Sequence, residues 1–267
     1  MHHCVLGEGQ LGRCKARKNE NGISISTNYG KLTSVSLDPV EKKPFAKFCP
    51  GSMILSVGSF GCNLNCPFCQ NDSISMAFEN DVQTQYMSPE ELASYAEDLI
   101  PYGNIGVAYT YNEPMIGYEY VRDASIEVKK RGMRNAVITN GSVLLPVLEE
   151  VIPWVDAYNI DLKGFTEPYY NKLGGDLGTV QDFIVLASKH GHVEITTLIV
   201  PGENDSEEEM DALSGWIAGV DRTIPLHITR FFPRRQMTDR SPTDMMVLSM
   251  LRDTAKKNLD TVLLGNI

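Results

Sequence analysis

Met53-Ile54-Leu55-Ser56-Val57-Gly58-Ser59 leads, through Phe60, into Gly61-Cys62-Asn63-Leu64-Asn65-Cys66-Pro67-Phe68-Cys69-Gln70-Asn71. The first part is an apolar, strand-forming run. The second carries three cysteines in a C-x3-C-x2-C spacing. A tight loop can bring three such thiolates onto one metal centre. That leaves the centre one ligand short of the four that tetrahedral zinc or a cubane iron–sulfur cluster takes. The open position is a place for a substrate or cofactor. The plainer readings are an incomplete zinc site or three unrelated buried thiols. Asn63, Asn65, Gln70 and Asn71 are poor metal ligands, and the loop holds no fourth Cys or His.

Downstream of this loop a strand–helix rhythm sets in. Ser88-Pro89-Glu90-Glu91 predicts a helix start, with Ser as N-cap and Glu closing a capping box. Leu92, Ala93, Ala96, Leu99 and Ile100 share one face of that helix. Apolar strands are expected at Ile105–Tyr111, Ala136–Thr139, Ala157–Leu162, Val193–Val200, Leu226–Phe232 and Thr261–Gly265. Helices are expected between them, one opened by a second capping box at Ser206-Glu207-Glu208-Glu209. Six βα units and a seventh strand imply a parallel sheet. The expected fold is α/β, a partial (β/α)6 TIM-like barrel over residues 51–267, with a doubly wound open sheet as runner-up.

Residues 1–50 read differently, as a small N-terminal flap. Asn19-Glu20-Asn21-Gly22 is a turn. Ile23 and Ile25, then Val35 and Leu37, alternate with polar residues as short antiparallel strands do. Cys4 and Cys14 read as free thiols on this flap and Cys49 as a buried one. His2-His3 is too short for a metal site. The chain of 267 residues is long enough for a large core. Its net charge of −10 disfavours nucleic acid or an anionic membrane as partner. No apolar run of membrane-spanning length and no signal peptide is evident, so a cytoplasmic location is expected. Six cysteines, half of them in one loop, suit metal chemistry in a reducing compartment better than a disulfide scaffold.

In parallel barrels the site lies at the carboxyl ends of the strands. Here those ends carry Tyr111-Asn112-Glu113-Pro114, Thr139-Asn140-Gly141, Asp161-Leu162-Lys163, Thr196-Thr197 with Val200-Pro201-Gly202, and His227 with Thr229 and Arg230. Glu113, Asp161, Lys163 and His227 are expected to face one mouth beside the cysteine loop. Such a ring suits a zwitterion: a carboxylate for an ammonium, a lysine for a carboxylate, Thr and Asn for hydroxyls. Each residue alone has a plainer role. Glu113 can cap the helix near Pro114, Asp161 and Lys163 can simply share a face, and His227 can be a core histidine.

With these residues in place, the chain resembles the radical S-adenosylmethionine superfamily, through Cys62, Cys66 and Cys69 with Phe68 before the third cysteine. The resemblance implies a [4Fe-4S] cluster on the three thiolates, with S-adenosyl-L-methionine chelated at the fourth iron. It implies reductive cleavage to methionine and a 5′-deoxyadenosyl radical that abstracts hydrogen. Residues 53–232 look like the activases of glycyl-radical enzymes, such as pyruvate formate-lyase activating enzyme. Glu113-Pro114, Thr139-Asn140, Asp161-Leu162-Lys163, Val200-Pro201-Gly202 and His227 match that group's motifs. The resemblance thus gives Phe68, Asn112, Glu113, Thr139, Asn140, Asp161, Lys163, Thr197, Val200 and His227 as cofactor contacts. Two departures stand out: Tyr111-Asn112 in place of a double glycine, and Ile138 in place of an aspartate.

A closer resemblance, over almost the whole chain, is to the radical enzyme of the AmmeMemoRadiSam system. It rests on His2-His3-Cys4, Gly12-Arg13-Cys14, Pro50-Gly51-Ser52, Cys69-Gln70-Asn71, Tyr111-Asn112-Glu113-Pro114 and Leu264-Gly265-Asn266. That group starts earlier and runs on to a Cys-Pro-x-Cys tail, so this chain is expected to begin and stop inside those motifs. The implied partners are an external one-electron reductant of flavodoxin or ferredoxin type and a protein substrate. Two alternatives stay open. One is a radical enzyme acting on a small molecule or peptide without a glycyl product. The other is a non-catalytic zinc or electron-transfer protein. Tyr109 and Tyr111 lie near the site by strand position alone.

Overall fold

The computed structural model describes residues 3–267, so of the His2-His3 pair His2 lies outside the described residues. One eight-stranded sheet organises the chain. Its strands are β1 (Ser34–Pro39), β2 (Met53–Gly58), β3 (Asn104–Tyr109), β4 (Arg134–Thr139), β5 (Ala157–Asp161), β6 (His192–Ile199), β7 (Leu226–Arg230) and β8 (Val262–Gly265). They lie side by side in chain order. β2 to β8 are parallel and β1 is antiparallel to β2. A doubly wound sheet reverses its strand order at a switch point. This order never reverses, and β1 and β8 remain unpaired edges, so the sheet is a partial barrel.

The outer layer is α1 (Pro89–Asp98), α2 (Tyr118–Lys130), α3 (Leu145–Val151), α4 (Glu167–Leu173), α5 (Leu177–Ser188), α6 (Glu207–Asp221) and α7 (Met245–Ala255). Buried stripes such as Leu92-Ala93-Ala96, Tyr120-Val121-Ala124-Val128 and Val180-Phe183-Ile184-Ala187 pack on Leu55, Val57, Val107, Val137, Ile160 and Ile195 of the strands. Period 3.6 meets period 2 there, which is why the pattern was readable. α4 buries Tyr169, Tyr170 and Leu173, a short stripe that the sequence reading did not use. The Ser88–Glu91 capping box forms as expected. At α6 only half of it does: Ser206 caps Glu209 N, while the Glu209 carboxylate turns away to accept from Phe165 N at 2.6 Å.

In the N-terminal segment Arg17–Glu20 and Ile23–Ser26 form a hairpin closed by Asn21 and Gly22, at φ 53° and 80°. Those positive angles suit Asn-Gly. The second alternating stretch, Ser34–Pro39, joins the main sheet, pairing residue for residue with β2. The chain then dives beneath the barrel. Small inward residues Ala108, Ala136 and Ala157 leave room for Val40 and Phe45, both buried. Cys49 is half-buried rather than buried, in a left-handed turn at φ 46°.

Glu194 pins that plug. Its carboxylate accepts from Ala46 N at 2.9 Å and Lys47 N at 2.8 Å, and bonds Nε2 of His192 (2.8 Å) and His227 (2.6 Å). Burial alone would raise its pKa; the two imidazoles and two N–H groups prevail and hold it at about 2. The ordinary value is 4.5, so the folded pKa lies below the unfolded one. The resulting stability, about 3 kcal/mol, is present above about pH 4.5 and lost as pH falls toward 2. Urea titrations of wild type and Glu194→Gln should therefore differ most at pH 6, with the gap shrinking steeply by pH 2.5. A gap that is undiminished at pH 2.5 would contradict this assignment.

Candidate active site

The cysteine loop leaves β2 and is braced from every side. Gly61, at φ 86°, sits so close to the N-terminal segment that a Cβ would lie 2.5 Å from the Cys14 carbonyl oxygen. Asn112, buried below, accepts from Ser59 N at 2.9 Å and donates to the carbonyls of Phe60 and Gly61, each at 3.1 Å. Its side chain thus supports the loop from beneath. Asn63 Nδ2 donates to Ser142 O at 2.7 Å, and Asn65 N to Leu173 O at 2.8 Å. Arg235, itself at φ 49°, donates to Cys66 O at 2.7 Å and Asn65 Oδ1 at 2.8 Å. Around Cys66 an apolar wall is built from Leu64, Phe68, Tyr169, Leu173, Val200, Phe231 and Met237. Phe68 and Val200 are therefore brought to the loop as the sequence reading expects.

Glu113 links a strand end to the thiols. It is buried, and its Oε1 accepts from Thr139 Oγ1 at 2.7 Å and Met115 N at 3.0 Å. Oε2 accepts from Asn140 N at 2.8 Å. Asn140 Nδ2 in turn donates to Cys62 Sγ at 3.7 Å and Asn63 Oδ1 at 2.9 Å. Glu113, Thr139 and Asn140 thus form one unit that ends on a cysteine. The capping role of Glu113 is also real, since it is the N-cap of the short helical turn Pro114–Gly117 and accepts from Met115 N within it. Burial pushes its carboxyl up to about 7 against these three donors. A cation placed beside it would restore the carboxylate.

Asp161 and Lys163 pair with each other at 2.6 Å on the same rim, both largely buried. Burial drives the Cys66 thiol up to about 11, and the nearby Lys163 charge opposes that rise. Thr197 Oγ1 donates to Leu162 O at 2.9 Å and so braces this turn. Asn204, which the sequence reading missed, ties the rim together: it accepts from Val200 N at 2.8 Å and donates to the carbonyls of Lys163 (2.8 Å) and Leu198 (2.9 Å). Its only signal is its place just after Val200-Pro201-Gly202. His227 faces the barrel interior, where its Nε2 is engaged by Glu194.

Tyr111 occupies the position of the expected glycine with φ 70°, the backbone geometry glycine would take without strain. Its phenol turns inward, donating to Asp38 at 2.9 Å and accepting from Lys43 at 3.3 Å. Tyr109 points the other way, bonded to Ser125 at 3.2 Å beneath α2.

The thiols are close enough that ionising Cys66 or Cys69 opposes ionising Cys62. Yet among the described residues no three His, Cys, Asp or Glu side chains converge as a single-ion site requires. Tyr169 adds a buried hydroxyl without a partner beside Cys66. Three thiols, no fourth protein ligand in the loop and an unused donor fit a cluster with one open iron.

Residues 56–213 match the family described as the Radical SAM superfamily. The chain belongs to the radical SAM superfamily. Membership makes it an enzyme and implies S-adenosylmethionine and an iron–sulfur cluster. An uncharacterized protein of Methanocaldococcus jannaschii is 38% identical over 268 residues, covering 99% of this chain and 79% of that one. Pyruvate formate-lyase 1-activating enzyme of Escherichia coli K12 is 28% identical over 158 residues, 57% of this chain and 63% of that enzyme. In structure, Streptococcus suis SuiB bound to precursor peptide SuiA superposes with TM-score 0.62 over 85% of this chain and 51% of SuiB, at 12% identity. That likeness is one of fold. It places this radical SAM chain among partial barrels with mostly parallel sheets. No helix among the described residues is long and apolar enough to cross a membrane.

Proposed function

We propose that Cys62, Cys66 and Cys69 hold a [4Fe-4S] cluster whose open iron binds S-adenosylmethionine, and that the enzyme acts as an activase-like hydrogen abstractor on a protein substrate. The bound cluster and cofactor supply the hard chemistry, reductive cleavage to methionine and a 5′-deoxyadenosyl radical. The chain supplies position. Glu113 faces the ammonium of the methionine moiety, with Thr139 and Asn140 fixing its carboxylate. Lys163 meets the carboxylate, held by Asp161 until it does. Phe68 and Val200 pack the adenine side, while Asn112 and Thr197 brace the loops and His227 lines the interior. The observation that carries this reading is the bonded path Glu113–Asn140–Cys62, which fixes a cofactor-binding acid to a cluster ligand.

The activase assignment draws on the 28% identity to pyruvate formate-lyase 1-activating enzyme. In this reading residues 51–267 carry the catalytic barrel, to which Ser34–Pro39 of the N-terminal segment adds an antiparallel edge strand. The free cysteines among the described residues support a cytoplasmic, reducing setting. The test is electron paramagnetic resonance after turnover with a candidate partner protein. A glycyl radical on the partner supports the activase reading; 5′-deoxyadenosine formed with a modified small molecule or peptide instead overturns it.

A further inference from the structure

Among the described residues five tyrosines are buried: Tyr109, Tyr120, Tyr158, Tyr169 and Tyr170. Three of their hydroxyls find partners. Tyr109 pairs with Ser125 Oγ at 3.2 Å, Tyr120 donates to Met87 O at 2.9 Å, and Tyr170 accepts from Lys163 N at 3.0 Å. The hydroxyls of Tyr158 and Tyr169 have none. A buried hydroxyl without a partner costs stability, and phenylalanine would fill either place without that cost. Tyr158 lies in the core beneath the helices, edge-on to Phe183 at 6.0 Å. Tyr169 stands elsewhere, in the apolar wall around Cys66. Its ring is seated by Gly164, where a Cβ would lie 2.6 Å from Tyr169 Cδ1. The residue after Lys163 is therefore small so that this ring can reach the loop.

What the Tyr169 hydroxyl can donate to is narrowed by its neighbours. Leu64, Phe68, Leu173, Val200 and Phe231 offer only hydrocarbon, so the side-chain acceptors in this wall are sulfurs. The thioether of Met237 is a weak one, and the Cys66 thiolate a stronger one. Burial raises the pKa of the phenol, and the charge that opposes its ionisation most is that of Cys66, ahead of Glu203 and Glu209. The phenol therefore keeps its proton beside the loop. We infer that the Tyr169 hydroxyl is a hydrogen-bond donor kept for a sulfur of the metal centre, and that it holds the reduction potential of that centre up. The inference rests on the reading of Cys62, Cys66 and Cys69 as cluster ligands. One electron added to such a centre puts negative charge on its sulfurs, and a donor aimed at a sulfur favours the charged state. The electron comes from an external reductant, the proton stays on the phenol, and no bond in the chain breaks.

The test is a redox titration of the anaerobically reconstituted chain, followed by electron paramagnetic resonance, for wild type, Tyr169→Phe and Tyr158→Phe. Each variant deletes one unpartnered buried hydroxyl and keeps its ring, so Tyr158→Phe is the control. Tyr169→Phe should keep its iron and become harder to reduce. The expected change is about tenfold in the reduction equilibrium constant, a midpoint lower by about 59 mV for one electron. Tyr158→Phe should leave the midpoint where it is. Thermal unfolding of the unloaded chains reads the other side of the inference. Both variants should match or exceed wild type there, because each loses a polar group that nothing in the chain satisfies. Equal midpoints for wild type and Tyr169→Phe overturn the inference and leave the cluster reading standing. So does a Tyr169→Phe chain that fails to take up a cluster, or one that unfolds below wild type when unloaded, since the hydroxyl would then serve assembly or the fold. A wild-type chain that takes up no four-iron cluster removes the cluster reading, and this inference with it.

Discussion

Cys66→Ala will remove the iron–sulfur absorption band and S-adenosylmethionine cleavage together, while the barrel still folds. Cys66 is the buried middle ligand of the loop, walled by Leu64, Phe68, Tyr169 and Phe231. Alanine is smaller but apolar, so the wall loses only a sulfur's contacts. A large-to-small change of that size costs about 1 kcal/mol. The metal centre loses far more, since two thiolates cannot hold a cluster that already lacks a fourth protein ligand. Iron content after anaerobic reconstitution should drop from about four per chain to near background. Product should fall below detection, with far-ultraviolet circular dichroism unchanged. A variant that keeps both its cluster and its 5′-deoxyadenosine would show that the three cysteines do not act as one ligand set.

Glu113→Gln should weaken S-adenosylmethionine binding and destabilise the fold, and the two effects can be told apart. The carboxylate accepts three hydrogen bonds, from Thr139, Met115 and Asn140. An amide offers one oxygen and one NH2, so one donor must face another donor. An unmade bond of this kind in a buried site costs about 1–3 kcal/mol. Removing the charge also removes the partner proposed for the cofactor's ammonium, worth at least about tenfold in affinity by comparison with other buried charged pairs. Isothermal titration of S-adenosylmethionine into reconstituted protein reads the second effect, and thermal unfolding of the unloaded chain reads the first. Lower stability with unchanged affinity would leave Glu113 a brace between the turn and the cysteine loop, and nothing more.

Much of this site was legible in the chain because two local signals overlap. The cysteine spacing names a metal loop, and the strand-end polar residues name a barrel mouth; both report on backbone that is contiguous or regularly repeated. What escaped was contact between distant segments. Glu194 gives no sequence hint that it will hold two imidazoles and the backbone of Ala46 and Lys47 across the barrel. Asn204 reads as an ordinary loop residue until its three backbone contacts are seen. Arg235 lies far along the chain from the cysteine loop it clasps. Tyr111 shows the converse case. It looked like a side chain in the wrong place, and the structure gives it a left-handed backbone and a phenol held by Asp38 and Lys43. Placement of His227 shows why a strand register is not a contact list: the expected strand formed, and its imidazole found a carboxylate in the interior.

The central claim is that this chain's three-cysteine loop supports reductive cleavage of S-adenosylmethionine. The most direct measurement is to reconstitute wild type anaerobically with iron and sulfide, reduce it with dithionite, add S-adenosylmethionine, and quantify 5′-deoxyadenosine and methionine. The account predicts both products in equal amounts, dependent on the cluster and on reductant. A well-formed four-iron cluster that yields no 5′-deoxyadenosine, or a chain that takes up zinc and no cluster, would contradict it.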